Sequence, residues 1–296
     1  MAYKKNFEKK DAYEAIAEYL IQRIESGQAV YKKRWKNVPR AMNYASGHQY
    51  TGQNQFILSL SGYELPFFLT FKQAKDLGGN VKKGSKSIPL LRMNPLYFDA
   101  NGNRVHTREE AKDIRVFPKV FRVFNVEQVE GITWDFEKYG FTGEEEEGSP
   151  IEAAEAAIER YLSKENAPAF NRVASDRAYY SPYDHRVVVP KLAQFEQAEE
   201  HYSTIMHELI HSTGHESLLS REGIISPTKF GDEKYAAEEL VAEIGAAYAM
   251  GRLGIEQTRE NSAGYLAGWL RVLKNERGRF FKAAREAEKA VELILE

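Results

Sequence analysis

HELIHSTGH, residues 207–215, decides how the rest of the chain is read. In an α-helix, residues four apart lie on one face. His207 and His211 therefore aim two imidazoles at one point, and Glu208 lies beside that face. The spacing predicts a metal-ligating helix whose glutamate reaches a water at the ion without being a ligand. Ile205, Met206, Leu209 and Ile210 supply the apolar positions such a helix needs, and Gly214 is placed to end it. A catalytic zinc keeps three protein ligands and one open position. The chain has no cysteine, so the third ligand must be a histidine or a carboxylate.

The stretch YAAEELVAEIGAAYAM, 235–250, predicts a second helix. Glu239 and Glu243 are four apart and share a face. Either can bind the ion while the other orients a liganding histidine; Glu239 is the expected ligand and Glu243 the orienting group. That order mirrors the Glu-x-x-x-Asp helix of zincins with a glutamate third ligand. Glu238 reads as part of a solvated face. His215 is a rival ligand, but the three-histidine pattern needs its last histidine at 217, which is Ser217. His215 reads better as shaping the turn or touching substrate. One Zn2+ is expected, with Glu208 as general base in peptide hydrolysis; manganese or nickel suits the same donors. DHRVVVP, 184–190, predicts a strand that can serve as an edge for an extended peptide. Tyr179, Tyr180 and Tyr202 are candidate oxyanion donors, with ordinary packing the competing role.

The chain has 296 residues and a net charge of −2. That length suits one large domain or two modest ones. The charge is unevenly spread: residues 1–140 carry +8 and residues 141–296 carry −10. The sign changes at FTGEEEEGSP, 141–150, whose Gly, Pro and four consecutive Glu predict an exposed linker. The expected domains are thus 1–140 and 151–296. Basic residues near the N-terminus have no apolar core behind them, so no secretory signal is read there. No run of about 18 apolar residues occurs, so no membrane span is expected. The expectation is a soluble cytoplasmic protein of unknown oligomeric state.

The front half reads as mixed α and β. Helical periodicity runs from Asp11 to Ser26, and Thr70 with Gln73 forms a capping box before a short helix ending at Gly78 and Gly79. VKKGSKSIPLL reads as strand, turn and strand, Asn101-Gly102 marks a further turn, and 116–128 reads as a strand. Basic and aromatic residues interleave in YKKRWK (31–36), FFLTFKQAK (67–75) and KVFRVF (119–124). Single-stranded nucleic acid uses both types, cations on phosphates and rings on bases. Candidate DNA contacts are Lys32, Lys33, Arg34, Trp35, Lys72, Lys82, Lys83, Lys86 and Arg122. The competing reading is a strand with Phe121 and Phe124 in the core and solvated lysines. The back half predicts helices near 151–163, 197–213, 235–251, 260–275 and 279–295.

Taken together, AMNYASGHQYTGQNQFIL, FFLTFKQAKDLGGNVKKGSKS, VFRVFNVEQVEG, HELIHSTGH, YAAEELVAEIGAAY and NSAGYLAGWLRVLKN resemble, in order, the plasmid antirestriction proteins of the ArdC type. Their front domain is shared with some plasmid-borne primases. The resemblance implies an α+β protein of two domains. The first is a mixed α/β domain binding single-stranded DNA. The second is a mainly helical, zincin-like metallopeptidase domain with a small sheet. It also implies a role on mobile elements, protecting incoming DNA from restriction. By motif, His207, His211 and Glu239 carry over as metal ligands and Glu208 as catalytic glutamate; the protein substrate is not implied. Members typically have Trp after the second histidine, where this chain has Ser212, a change expected to alter packing or the pocket rim and not metal binding. Two other readings remain: a DNA-protecting protein whose zincin domain is a scaffold, and a protease that cleaves a repressor.

Overall fold

The computed structural model describes residues 12–26, 40–141, 149–226, 233–255 and 259–296. The front part runs α1 (Ala12–Glu25), β1 (Met42–Asn43), α2 (Gln53–Ser59), β2 (Phe67–Leu69), α3 (Phe71–Asp76), β3 (Asn80–Val81), β4 (Ile88–Phe98), β5 (Arg104–Val105), β6 (Asp113–Asn125) and β7 (Val129–Glu130). The back part runs α4 (Pro150–Leu162), β8 (Ala169–Val173), β9 (Tyr179–Ser181), β10 (Arg186–Pro190), α5 (Ala198–Ser212), α6 (Glu222–Ile225), α7 (Glu233–Leu253), α8 (Arg259–Asn275) and α9 (Arg277–Leu295). The fold is two-domain α+β, and no described helix is long and apolar enough to cross a membrane.

In front, five strands pair in the order β1-β2-β6-β4-β5, with β3 and β7 in a separate ladder. β4 and β6 pair antiparallel from Ile88↔Val123 out to Phe98↔Asp113, a long two-stranded ribbon. The Asn101-Gly102 turn joins β4 to β5 at the far end of this ribbon, with Gly102 at φ 80°, a backbone region glycine enters without strain. The capping box is present: Thr70 Oγ1 accepts from the Gln73 N–H and Gln73 Oε1 accepts from the Thr70 N–H. Much of the aromatic content read as a stacking surface is core. Phe67 and Phe68 are fully buried, and Phe67 stacks on Phe136 at 4.6 Å. The reason is strand alternation combined with cover on both faces of β2, which the run FFL satisfies. Phe71, by contrast, stands exposed on α3.

Behind, β8, β10 and β9 form a small sheet with β10 in the middle, parallel to β8 and antiparallel to β9. DHRVVVP is therefore not an edge strand. Its continuous apolar run suits a strand flanked on both sides, and the edge strands are β8 and β9. α5 and α7 pack face to face. Gly245 of α7 makes this possible: a Cβ there would sit 2.9–3.1 Å from three carbons of Ile210 on α5. The larger buried core runs from the front part into the back part, and a second, smaller cluster gathers around Phe67 and Phe141 in front. α1 and α2 pack on α8 and α9, with Phe56 6.0 Å from both Trp269 and Phe280 and Tyr13 5.4 Å from Phe281. Of the acidic stretch, residues 142–148 lie outside the described residues.

Candidate metal centre

α5 carries His207, Glu208 and His211 on its last two turns, and α7 crosses it with Glu238 and Glu239. Three donor groups converge. His207 Nε2 and His211 Nε2 are 3.1 Å apart, Glu239 Oε2 is 3.5 Å from the first and Glu239 Oε1 is 3.4 Å from the second. Ligands about 2.0–2.1 Å from a tetrahedral zinc stand about 3.3 Å from one another. The two imidazole nitrogens stand near that edge length, Glu239 turns one oxygen to each, and one donor atom from each residue lies within 4.8 Å of the others, so the residues fit a small divalent cation. Among the described residues this trio alone forms such a cluster. Glu208 lies beside it, nearly buried, and receives a hydrogen bond from the Tyr180 main chain. Burial pushes its carboxyl above the usual range, against the pull of His211 and His207. Burial also works against a charged His211. The Glu238 and Glu239 carboxylates outweigh it and push that pKa up to about 9. Without a cation the site thus attracts positive charge.

The group that orients His211 is Glu238, a role its sequence position does not announce. His211 Nδ1 donates to Glu238 Oε1 at 3.2 Å, which turns Nε2 toward His207 and Glu239. Glu238, expected on a solvated face, is 5% exposed. It lies three residues before Val241 and seven before Gly245, on the α7 stripe that faces α5, so the helix geometry buries it. Arg221 holds it there. Its Nε and Nη2 reach both Glu238 oxygens at 2.6–3.2 Å, while Nη1 donates to Thr213 Oγ1 at 2.7 Å and Nη2 to the Ile210 carbonyl at 2.6 Å. The guanidinium thereby ties α6 to the end of α5 and keeps Glu238 ionised despite its burial. Glu243 sits one turn further along α7, close enough to His207 for their charges to interact, and burial raises its pKa. His215, the rival ligand, stacks on His185 at 3.9 Å and accepts from Ser217 N–H at its Nδ1.

A cleft of about 880 Å³ opens over the trio, walled by Tyr179, Tyr180 and Tyr183 on one side and Ile224, Ile225 and Tyr235 on the other. Tyr235 donates its hydroxyl to Glu239. The Tyr180 hydroxyl bonds His185 Nδ1 at 2.8 Å, and Tyr179 is half exposed at the rim. Tyr202 is not an oxyanion donor. It is buried on the far side of α5 and donates to Glu155 at 2.6 Å. Of the two places expected for the Ser212 change, packing and the pocket rim, its position fits packing: Ser212 is fully buried and bonds the Tyr161 hydroxyl at 3.1 Å. The roles of Arg221, Glu238 and Tyr235 are not among the expectations from sequence. Only Glu238 left a signal, its place on the buried stripe of α7.

Of the DNA candidates, Lys32, Lys33, Arg34 and Trp35 lie outside the described residues. Lys72, Lys82, Lys83, Lys86 and Arg122 are all exposed. Lys82 donates to the Glu127 carbonyl at 2.8 Å and Arg122 to Ser87 Oγ at 3.3 Å.

The fold and site define a protein with a zincin-like metallopeptidase domain behind a mixed α/β domain. Residues 156–286 match the zincin-like metallopeptidase family, and residues 10–124 match the N-terminal domain of anti-restriction factor ArdC. The chain is therefore of the ArdC type. It is similar to the antirestriction protein ArdC from plasmid R388, solved metal-free (TM-score 0.66, 29% identity, 95% of this chain and 96% of that one) and with Mn(II) bound (0.66, 28%, 96% and 97%). Two DNA primases TraC from Escherichia coli are each 32% identical over 97% of this chain, which spans only 27% and 20% of their lengths. Protein y4eC of Sinorhizobium fredii is 28% identical over 94% of this chain and 89% of its own.

Proposed function

We propose that the chain is an antirestriction-type protein of a mobile element that binds single-stranded DNA through its front domain and hydrolyses peptide bonds at the site on α5 and α7. The domain limits that follow are 1–140 and 151–296, joined by 141–150. The observation that carries the hydrolase reading is the trio His207, His211 and Glu239, at ligand spacing, with a buried carboxylate beside it. Two imidazoles and one carboxylate suit zinc. A bound zinc supplies Lewis acidity and acidifies water in contact with it. Glu208 takes the proton from the attacking water and returns it to the departing amine. The free edge of β9 walls the cleft and can pair with an extended substrate, aligning its carbonyl above Glu208. Tyr235 restrains Glu239. The R388 protein was crystallised with Mn(II), which supports a divalent cation here.

The test is Glu208→Gln in zinc-loaded protein, with a fluorogenic peptide library as substrate. Loss of general-base action predicts a rate lower by about 10²–10⁴, with zinc content and oligonucleotide binding unchanged. Cleavage at the wild-type rate by the loaded variant refutes the role of Glu208.

A further inference from the structure

A second feature of the molecule lies between α1 and the root of the β4–β6 ribbon. Tyr19 and Arg23 are four residues apart and so share one face of α1, while Ile16, Leu20 and Ile24 of the same helix are buried in the core. Facing them are the segment 85–87 after the 82–85 turn, the start of β4 and Arg122 of β6, which pairs with Pro89. Tyr63 completes a groove of about 630 Å³, within the range of small-ligand sites.

The groove is cationic and its cations are set in place differently. Arg23 is fixed: its Nη2 donates to the Leu60 and Ser61 carbonyls at 3.3 and 2.7 Å. Arg122 reaches Ser87 Oγ at 3.3 Å and is otherwise open to solvent, as is the Lys86 ammonium. The segment that presents Lys86 is itself held, because the Lys86 carbonyl accepts from Gln128 Nε2 at 3.0 Å. Among the lining residues Glu18 is the one carboxylate, on the exposed side of α1. Two phenol rings, Tyr19 and Tyr63, lie among these charges. Packing does not require the exposed cations Lys86 and Arg122, while Tyr19 and Tyr63 pack partly against the core and keep part of each ring outside it. The combination of spaced cations and ring faces is what a sugar-phosphate chain with unpaired bases needs.

We propose that this groove is where single-stranded DNA docks, with Lys86 and Arg122 on phosphate oxygens and the Tyr19 and Tyr63 rings beside the bases. The inference rests on the single-stranded DNA reading above and gives it a location. The experiment uses the full chain and a fluorescein-labelled oligo-dT of about 20 nucleotides, with affinity measured by anisotropy as salt rises. Each lost phosphate contact reduces the slope of log affinity against log salt by about 0.7. The double variant Lys86→Ala/Arg122→Ala should bind at least tenfold more weakly at low salt, with a slope shallower by about 1.4. Both residues are exposed, so its melting temperature should match wild type. Glu18→Gln should bind a few-fold more tightly. 5-Iodouracil oligonucleotides should crosslink to Tyr19 or Tyr63. Wild-type binding that survives the double variant with affinity and slope unchanged overturns the groove and leaves the DNA reading standing, as do crosslinks confined elsewhere. A wild-type chain that binds no oligonucleotide overturns both.

Discussion

The Arg221–Glu238 pair gives the sharpest test of how the metal centre is held. Arg221 is 6% exposed and Glu238 5%, so neither charge is relieved by water. Arg221→Met removes the counter-ion, leaves the Glu238 carboxylate buried, and strips donors from Thr213 Oγ1 and the Ile210 carbonyl. Breaking one side of a buried pair costs about 3–5 kcal/mol. Glu238→Gln keeps shape but gives His211 Nδ1 a weaker acceptor, and loss of such an orienting partner lowers metal affinity by about 10–100-fold. The two effects separate in Arg221→Met/Glu238→Met. Replacing a whole buried pair with apolar residues is often neutral or stabilising. The double variant should therefore regain most of the stability lost by Arg221→Met while its zinc affinity stays low. Urea unfolding of metal-free protein and zinc competition against a chromogenic chelator measure the two quantities. An Arg221→Met variant within about 1 kcal/mol of wild type, or a Glu238→Gln variant with wild-type zinc affinity, would show that the pair neither secures the fold nor orients His211.

Two further outcomes follow from the helices around the site. Gly245→Ala gains about 1 kcal/mol of helix propensity, but its methyl meets Ile210 at 2.9–3.1 Å, an overpacking worth about 1–3 kcal/mol. The variant should be no more stable than wild type and should bind zinc more weakly, because α7 carries Glu239 away from α5. Ile210→Val in the same chain should restore part of the affinity, and calorimetric zinc binding unchanged by Gly245→Ala would refute the close-packing argument. His201, on α5 before the motif, is fully buried, and neither ring nitrogen has a hydrogen-bond partner among the described residues. Burial, and then the nearby Arg172, hold its pKa below the ordinary 6.5. The unfolded chain takes up a proton first as pH falls. The stability tied to neutral His201 is thus complete above about 6.5 and is lost below it, toward the lowered folded value. Melting curves from pH 5 to 8 on metal-free protein should fall more steeply for wild type than for His201→Phe; equal slopes would remove His201 from the account.

The sequence made the helices of the back half legible because their apolar spacing is regular and their lengths exceed any strand. Helices expected near 197–213 and 235–251 appear at Ala198–Ser212 and Glu233–Leu253. The mutual position of His207 and Glu208 is equally local, fixed by one helix. What the sequence hid is non-local. Whether VVV lies at the edge or the middle of a sheet depends on where β8 and β9 pair, and nothing within the run states it. FFLTF looks the same whether its rings face solvent or core, and only the cover from Phe136 and Phe141 decides for Phe67. Arg221 belongs to a segment with no motif, and its role arises because the chain turns back under the end of α5.

Charge balance explains why an arginine belongs in so apolar a place. Glu208 and Glu238 are nearly buried, and Glu239 points inward at the two imidazoles. Three carboxylates gathered within two helices repel one another strongly where water is excluded. On the proposed reading a divalent cation offsets two of them and Arg221 the third, so the occupied centre is neutral. Arg221 also sits on the Glu238 side, away from the cleft, where its charge cannot compete for the ligands. A lysine could neutralise Glu238, but one ammonium cannot reproduce the fork that spans both carboxylate oxygens while reaching Thr213 and Ile210. Arg221→Lys should accordingly keep the charge yet lose rigidity. Its zinc affinity should fall between wild type and Arg221→Met, and a lysine variant indistinguishable from wild type would mean that charge alone suffices.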